Sequence, residues 1–518
     1  MVRKKLNSAA VIHLGSENIT MQIIEYTSLS EIRVVDEVRR KVKLGEETFQ
    51  TRKISFSTML QIVDILKGYR KMMREYGVKE YMLQATTAIR EAENQQYFLD
   101  QVSVKTGFTI EVVNMSQEIY TKIAALVRTW GVQDQKSLPK EGIMLADISS
   151  GGLGITYLKD RKICYQQNLH VGLVRMREQF TRNERSSSHF DDALTEYIQA
   201  SLMPVDQELA EETMEALVLT GTESQVLLDM LQKHCGKRKK PSFTAQEVNS
   251  LYASIKGYNE NQIAKEFNFS AEETEIAFSA VILCEQLMAV SEAKKVVLPV
   301  DRFIDGMKYL YIARRTNDPF LEAMLQLRMS LVRGIGARFH YDAVHAAWVE
   351  NMACKLFDAM ASSQGMDREA RILLRAAAYL HNIGKYASLR SYDVYNYYLI
   401  RSADILGFSD EECRTIAQIS YLYTLDRPEL QGSEPLAFDG QFAPLVAKLA
   451  AILRLADSLD VSGRQKIRDC IVALKGENLK LKVKSRQRLD LEEWTFAKRG
   501  LFFEEVFGVH PVLEKVEA

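Results

Sequence analysis

At 518 residues, with 47% of them hydrophobic, the chain is long enough for several domains with real cores. Its 67 Lys and Arg nearly balance 68 Asp and Glu, so no global field points to nucleic acid or an anionic membrane, and any anion site must be local. Six cysteines, Cys164, Cys235, Cys284, Cys354, Cys413 and Cys470, lie far apart without a CxxC pair, which argues for reduced thiols rather than a disulfide framework or zinc knuckle.

At the N-terminus Arg3, Lys4 and Lys5 precede an apolar stretch broken by His13 and Glu17, too short for an export signal. No uninterrupted apolar run reaches membrane-spanning length, and a cytoplasmic location is the expectation. Ala10 to Tyr26 reads as a strand, a turn at Gly15-Ser16 and a second strand. Ile143 to Asp160 repeats the device through Ser149-Ser150-Gly151-Gly152. Turns of this kind bring backbone N–H groups close to an anion, because glycine has no Cβ to hold the ligand off. Two of them suggest a phosphate held between lobes.

Strands and helices alternate up to about Asp305. From Met307 to about Ile471 amphipathic helices dominate, as in the spacing of Ala346, Val349, Met352, Ala353 and Leu356. Asn478 to Val483, followed by Arg486 to Phe507, alternates again and suggests a small strand-containing appendix. Loops are expected at Gly131–Gly142, Asn183–Ser188, Gly236–Ser242 and Asp426–Pro444. Lys233, Lys237, Arg238, Lys239 and Lys240 form a basic run that reads as a solvated loop. A nucleic-acid arm would need aromatic interleaving and a more basic setting.

Further segments join the two hairpins in a fixed order: Ala85–Asn94 (ATTAIREAEN), Val113–Val127 (VNMSQEIYTKIAALV), His170–Phe180 (HVGLVRMREQF), Leu217–Thr222 (LVLTGT) and Leu380–Lys385 (LHNIGK). In this order the chain resembles the exopolyphosphatase and guanosine pentaphosphate phosphohydrolase (Ppx/GppA) family over nearly its whole length. The resemblance implies an α/β part followed by an all-α part. Residues 1–135 and 136–306 would form two actin-like, ribonuclease-H-like (ASKHA) lobes, residues 307–475 an HD-like helical domain, and 476–518 a small C-terminal α/β domain. It implies hydrolysis of a terminal phosphoanhydride, on polyphosphate or guanosine pentaphosphate, in the interlobe cleft. Mg²⁺, backbone phosphate loops and a water-activating carboxylate would carry that chemistry. Nucleic acid and membrane are not expected as partners, and a homodimer is the assembly considered.

Carried onto this chain, the resemblance assigns phosphate binding to Gly15, Ser16, Arg90, Ser149, Ser150, Gly151, Gly152, Gly221 and Thr222, with Gly172 and Arg175 beside them. Asp147 becomes the catalytic carboxylate and magnesium ligand, and Glu118 a candidate base. The family pattern also breaks at several points. Its first hairpin carries Asp where this chain has His13, either a phosphate contact or an ordinary strand histidine. Its second hairpin ends in a carboxylate where Gly154 stands, and Ser149 and Ser150 either donate to phosphate or cap the turn. The family's Glu-Glu pair falls on Glu118 and Ile119. Ile119 belongs to an apolar stripe with Ile123 and Leu126, and Glu118 has the alternative role of favourable charge in a first helical turn. In the helical part His345, His381-Asn382 and Asp457 keep the order of an HD metal site. Asn382 replaces its carboxylate, and Tyr395 and Leu422 stand near further expected histidines. Two structural histidines in a retained helical fold are therefore expected there. The alternative to hydrolysis is a catalytically impaired member that binds polyphosphate, an alarmone or another phosphorylated ligand as a sensor or regulator.

Overall fold

The computed structural model describes residues 6–516 apart from 134–141, 150–151, 161, 170, 174–175, 177–178, 186, 188, 222–223, 237–240, 259, 300–302 and 425–442. The chain divides into two units, residues 1–328 and 329–518.

The first unit holds two mixed sheets. In the first, β1 (Asn7–Leu14) pairs antiparallel with β2 (Asn18–Ser28) and parallel with β4 (Tyr81–Ala85). With β3 (Glu31–Lys41) and β5 (Glu111–Val112) the order is β3-β2-β1-β4-β5. The second sheet is built from β6 (Gly142–Ile148), β7 (Leu153–Lys159), β8 (Lys162–Leu169), β9 (Met214–Thr220), β10 (Ser242–Thr244) and β11 (Lys295–Val297). It runs β10-β11-β9-β6-β7-β8. Its core β8-β7-β6-β9-β11 therefore repeats the order of the first sheet, so β1 and β6 are equivalent central strands. His13 and Asp147 occupy the same penultimate position on them.

These assignments follow from the side chains. Residues 9–12 of β1 and 142–148 of β6 are buried almost without interruption, as strands covered on both faces must be. The edge strand β3 is instead heavily charged, which blunts pairing with another chain. Helix Phe56–Glu75 buries Met59, Ile62, Val63, Leu66, Tyr69 and Met73 at helical spacing and starts at the N-cap Ser55. Helix Ala271–Ser291 opens with a Ser270/Glu273 capping box and runs through the core of the second lobe. Helix Met115–Gln133 carries the stripe Ile119, Ile123 and Leu126, all buried.

The expected boundary at 306–307 falls inside helix Phe303–Thr316, which packs on helix Met115–Gln133 and the first sheet, sharing a core with Ala9, Val11, Ile24 and Tyr26. In the second unit, helices Ala343–Gln364, Arg368–Leu380, Tyr392–Ser402, Asp410–Thr424 and Ala443–Ser458 precede a sheet ordered β12-β13-β14 (Asp469–Lys475, Asn478–Lys484, His510–Val516). The stretch Arg486–Phe507, read as alternating, is mostly helix (Asp490–Phe507) and crosses over between the parallel strands β13 and β14. Phe496, Gly500, Phe503 and Phe507 recur at helical spacing on its buried face, a period that the alternation hid. None of the six cysteines is in a disulfide, and four are buried. Among the described residues no helix is long and apolar enough to cross a membrane. The basic run Lys237–Lys240, most of the 426–444 loop and the expected loop residues 134–141 lie outside the described residues.

A Cβ on Gly306 would strike the carbonyl oxygen of Thr121, which sets how closely helix Phe303–Thr316 lies on its neighbour. Gly306→Ala should lower the unfolding free energy of the first unit by roughly 1 to 3 kcal/mol through overpacking, against a gain of about 1 kcal/mol in helix propensity. Urea denaturation measures it, and a stabilised variant would show that the two helices do not touch there.

Candidate functional site

The C-terminal ends of β1 and β6 carry the two hairpin turns, and helix Met115–Gln133 reaches both lobes. The turn after β1 is closed by its own backbone: the Gly15 N–H donates to the Asn18 carbonyl (3.0 Å) and the Ser16 carbonyl accepts from Gly45 (2.8 Å). Beneath it the His13 ring lies 4.7 Å, centroid to centroid, from Phe303, with Nε2 3.3 Å from the Thr86 hydroxyl. Desolvation lowers the His13 pKa to about 4, helped by Lys122 and Arg39 and opposed by Glu118. At neutral pH His13 is an uncharged ring, not a cation for phosphate.

In the second hairpin Ser149 caps the turn. Its N–H and its hydroxyl both donate to the Gly152 carbonyl (2.9 Å each), and Gly152 N–H donates back to the hydroxyl (3.1 Å). Gly221 sits at φ +111°, and a Cβ there would collide with the Ile148 carbonyl, so glycine is required where β9 ends against β6. Ser150, Gly151, Arg175 and Thr222 lie outside the described residues.

Between the hairpins lies a continuous chain of charges. Arg90, closing the short helix Thr87–Arg90, donates to the Val113 carbonyl (2.9 Å) and the Thr87 hydroxyl (3.1 Å), and approaches Glu118 at 3.5 Å. Glu118 in turn accepts from Lys122 at 3.0 Å, one helical turn on. Lys122 Nζ then spans the lobes to both oxygens of Asp147, at 2.8 and 2.9 Å, and Thr220 donates to the same carboxylate at 2.7 Å. Burial pushes the Glu118 pKa up, but Lys122 and Arg90 outweigh it and hold the carboxyl down at about 2. For Lys122 burial works against the charge and the two carboxylates overcome it, so the ammonium persists well above its usual range. Two cations and two anions make the floor electrically neutral.

Lys122 and Thr220 are the residues that sequence reasoning missed. The Glu118–Lys122 spacing was visible, but i,i+4 pairs usually decorate a solvated face. The magnesium expected on Asp147 does not fit this donor set. Both of its oxygens are already held by an ammonium, whereas Mg²⁺ demands several hard oxygens in octahedral geometry. Ile119 and Gly154, which stand where the resemblance places two further carboxylates, meet: a Cβ on Gly154 would run into Ile119 Cδ1, so the isoleucine fills the space that glycine leaves.

In the second unit His345, His381 and Asp457 place one ligand atom each within 4.8 Å of one another. His345 sits in the first turn of its helix, positioned by the Asp342 N-cap. Its nitrogens face Asp457 (2.9 Å) and Asp460 (2.8 Å), which raise its pKa to about 9 despite the burial that opposes them. His381 donates from Nδ1 to the Ala378 carbonyl (2.7 Å), and burial keeps it neutral. Asn382 Nδ2 lies 2.8 Å from His381 Nε2. Asp457 also accepts from Tyr423 (2.9 Å) and from Arg499, a residue of the C-terminal α/β part that no sequence signal tied to this cluster. The three donors could hold one divalent ion only if His345 gave up the proton that Asp457 and Asp460 hold on it.

Comparison with known proteins accords with this architecture. A profile of the Ppx/GppA phosphatase family matches residues 22–298, and one of Ppx/GppA phosphatase, domain III, matches residues 327–499. The chain belongs to the Ppx/GppA phosphatase family. It is 20% identical to a guanosine-5′-triphosphate,3′-diphosphate pyrophosphatase of Vibrio campbellii over 92% of each chain. It is 19% identical to the Photobacterium profundum protein of that name, over 86% of this chain and 85% of the other. Among solved structures, the Aquifex aeolicus Ppx/GppA family member superposes with TM-score 0.51 at 17% identity, covering 60% of this chain and 99% of that one. An exopolyphosphatase from Cytophaga hutchinsonii gives 0.50 at 16%, covering 60% and 98%. These last two likenesses concern the fold.

Two measurements follow. The folded pKa of His13 lies below its ordinary 6.5, so the unfolded chain binds the proton more readily between pH 6.5 and about 4. Stability of the first unit should fall by on the order of 2 to 3 kcal/mol as pH drops through that window. Chemical denaturation at pH 7 and pH 4 reads the slope, which His13→Gln should flatten. In the second unit, Arg499→Met strands the buried Asp457 charge and should cost about 3 to 5 kcal/mol. A loss below about 1 kcal/mol in the thermal or chemical transition would mean that His345 and Tyr423 suffice.

Proposed function

We propose that the interlobe cleft takes a phosphate chain, either polyphosphate or the 5′-triphosphate of guanosine pentaphosphate, and that this protein binds it while cleaving its terminal anhydride only slowly. Family membership and the names of the relatives support the ligand class, and six cysteines outside any disulfide suit a reducing cytoplasm. Arg90, tethered by Val113 and Thr87, carries the guanidinium that we assign to phosphate oxygens, together with the turns that begin at Gly15-Ser16 and at Ser149. We read the helical unit as an HD-like fold whose histidines are structural.

The observation that supports slow turnover is Ile119 buried against Gly154, an alkyl group at the position that the resemblance assigns to water activation. Glu118 is a weak substitute. A general base works best with a pKa near the operating pH, and two cations hold this one far below it. A second reading, a competent hydrolase with Glu118 as base, draws on the position of that carboxylate in the cleft floor beside Arg90. An anion that drew Arg90 away would make Glu118 more basic.

Phosphate release from polyphosphate and guanosine pentaphosphate, with Mg²⁺ and with Mn²⁺, run beside equilibrium binding of both, tests the proposal. Binding is expected, with hydrolysis below that of a relative with an intact base by a factor on the order of 10² to 10⁴. Ile119→Glu should raise the residual rate, and Arg90→Ala should cost roughly 2 to 5 kcal/mol in binding. Robust turnover abolished by Glu118→Gln selects the second reading. Absence of binding to either ligand discards both.

A further inference from the structure

The Lys122 ammonium has three N–H donors, and three carboxylate oxygens take them: Asp147 Oδ1 and Oδ2 at 2.8 and 2.9 Å and Glu118 Oε1 at 3.0 Å. Its side chain is 14% exposed and that of Asp147 2%, so the pair lies at the bottom of the site, while Arg90 above Glu118 is 24% exposed. This is the placement of a bound cation. It neutralises a buried carboxylate at the end of a central strand, receives a second carboxylate from the facing lobe, and lies beside the hairpin turns.

We propose that Lys122 is the resident cation of the cleft, a covalently tethered substitute for a divalent metal, so that phosphate chains bind here without one. The inference rests on the phosphate-chain reading above and specifies its cofactor requirement. Three features of the chain support it. A divalent ion at Asp147 would have to evict an ammonium that its surroundings keep charged, leaving four positive charges from metal, Lys122 and Arg90 against two carboxylates. Among the described residues, Ile119 and Gly154 stand where the resemblance places two carboxylates, so those two hard oxygen donors are not supplied. Finally, an ammonium and a guanidinium offer charge and N–H donors to a phosphate that displaces Glu118 from them.

Two titrations on the full-length protein decide it. Polyphosphate binding to the parent should be the same within about twofold in EDTA and in Mg²⁺. Lys122→Gln should weaken binding about ten- to a hundredfold in EDTA, the loss of a charged hydrogen-bonding group, and recover in Mg²⁺. Manganese titration followed by electron paramagnetic resonance should show no ion in the parent that depends on Asp147, and one in Lys122→Gln that Asp147→Asn removes. Any ion held by His345 and His381 is insensitive to Asp147→Asn and is thereby told apart. Parent protein that binds polyphosphate only with Mg²⁺, or that holds a manganese ion lost in Asp147→Asn, overturns the proposal. The parent titrations stand by themselves should Lys122→Gln fail to fold. If the parent binds no phosphate chain in either buffer, the reading of the ligand fails, and the manganese result alone settles the identity of the cation.

Discussion

Everything in the cleft depends on one interaction, the ion pair that Lys122 makes across it with Asp147. A charge taken out of water is tolerated only when its partners replace most of the lost solvation, and here they do. Asp147 has an ammonium on both oxygens and a hydroxyl on one, and Lys122 has three acceptors. The geometry of the surroundings follows. Thr220 stands beside Asp147 because β6 and β9 pair in that register, and Gly221 must be glycine because the chain turns away against the Ile148 carbonyl. Glu118 belongs to the same balance, since without it Arg90 and Lys122 would face each other across a low-dielectric gap with one counter-charge between them.

The helical unit solves the same problem with other groups. Asp457 is buried and accepts from His345, Tyr423 and Arg499, and Asp460 shares the imidazolium. In both units a carboxylate retained from the family pattern is neutralised by a side-chain cation, Lys122 in one and His345 with Arg499 in the other. In both, an uncharged residue, Ile119 or Asn382, stands where the resemblance places a carboxylate. Losing one acid from a site built for divalent ions makes metal binding weaker but leaves the remaining acid still in need of a counter-charge. A tethered cation would supply it at lower charge and without dependence on metal concentration.

Much of this was readable from the chain because it is local. The two hairpins, the stripe Ile119–Ile123–Leu126, the change to helices and the ordered segments all follow from spacing over a few residues. What escaped was set by distance in sequence. Lys122 reads as one half of an ordinary i,i+4 pair until Asp147, 25 residues on, is brought to it. Arg499 lies in a segment whose mixed polarity imitates a strand, and nothing within that segment points back to Asp457. Ser149 kept two roles open because a hydroxyl next to glycines suits a phosphate and a turn equally. Only the short distances to Gly152 show where its hydrogen bonds go. The match of Ile119 to Gly154 was invisible for a related reason: each substitution looked like a separate loss, and only their contact shows one volume exchanged between a helix and the strand it faces.

The neutrality of the cleft also bears on how an anion can enter it. Among the described residues no uncommitted positive charge stands on the floor, so a phosphate group bound as proposed would compete with Glu118 for Arg90 and Lys122 rather than fall into an empty field. That competition is favoured by valence, because a phosphate chain carries more charge than one carboxylate and can engage a guanidinium in two parallel hydrogen bonds. It is opposed by the cost of leaving Glu118 buried with fewer partners. The carboxylate displaced in this way becomes more basic as its cations turn to the ligand, so the proton affinity of Glu118 and the occupancy of the cleft are linked quantities. A site of this kind would convert the arrival of a polyanion into a local change of charge at the junction of two lobes, whether or not a bond is then broken.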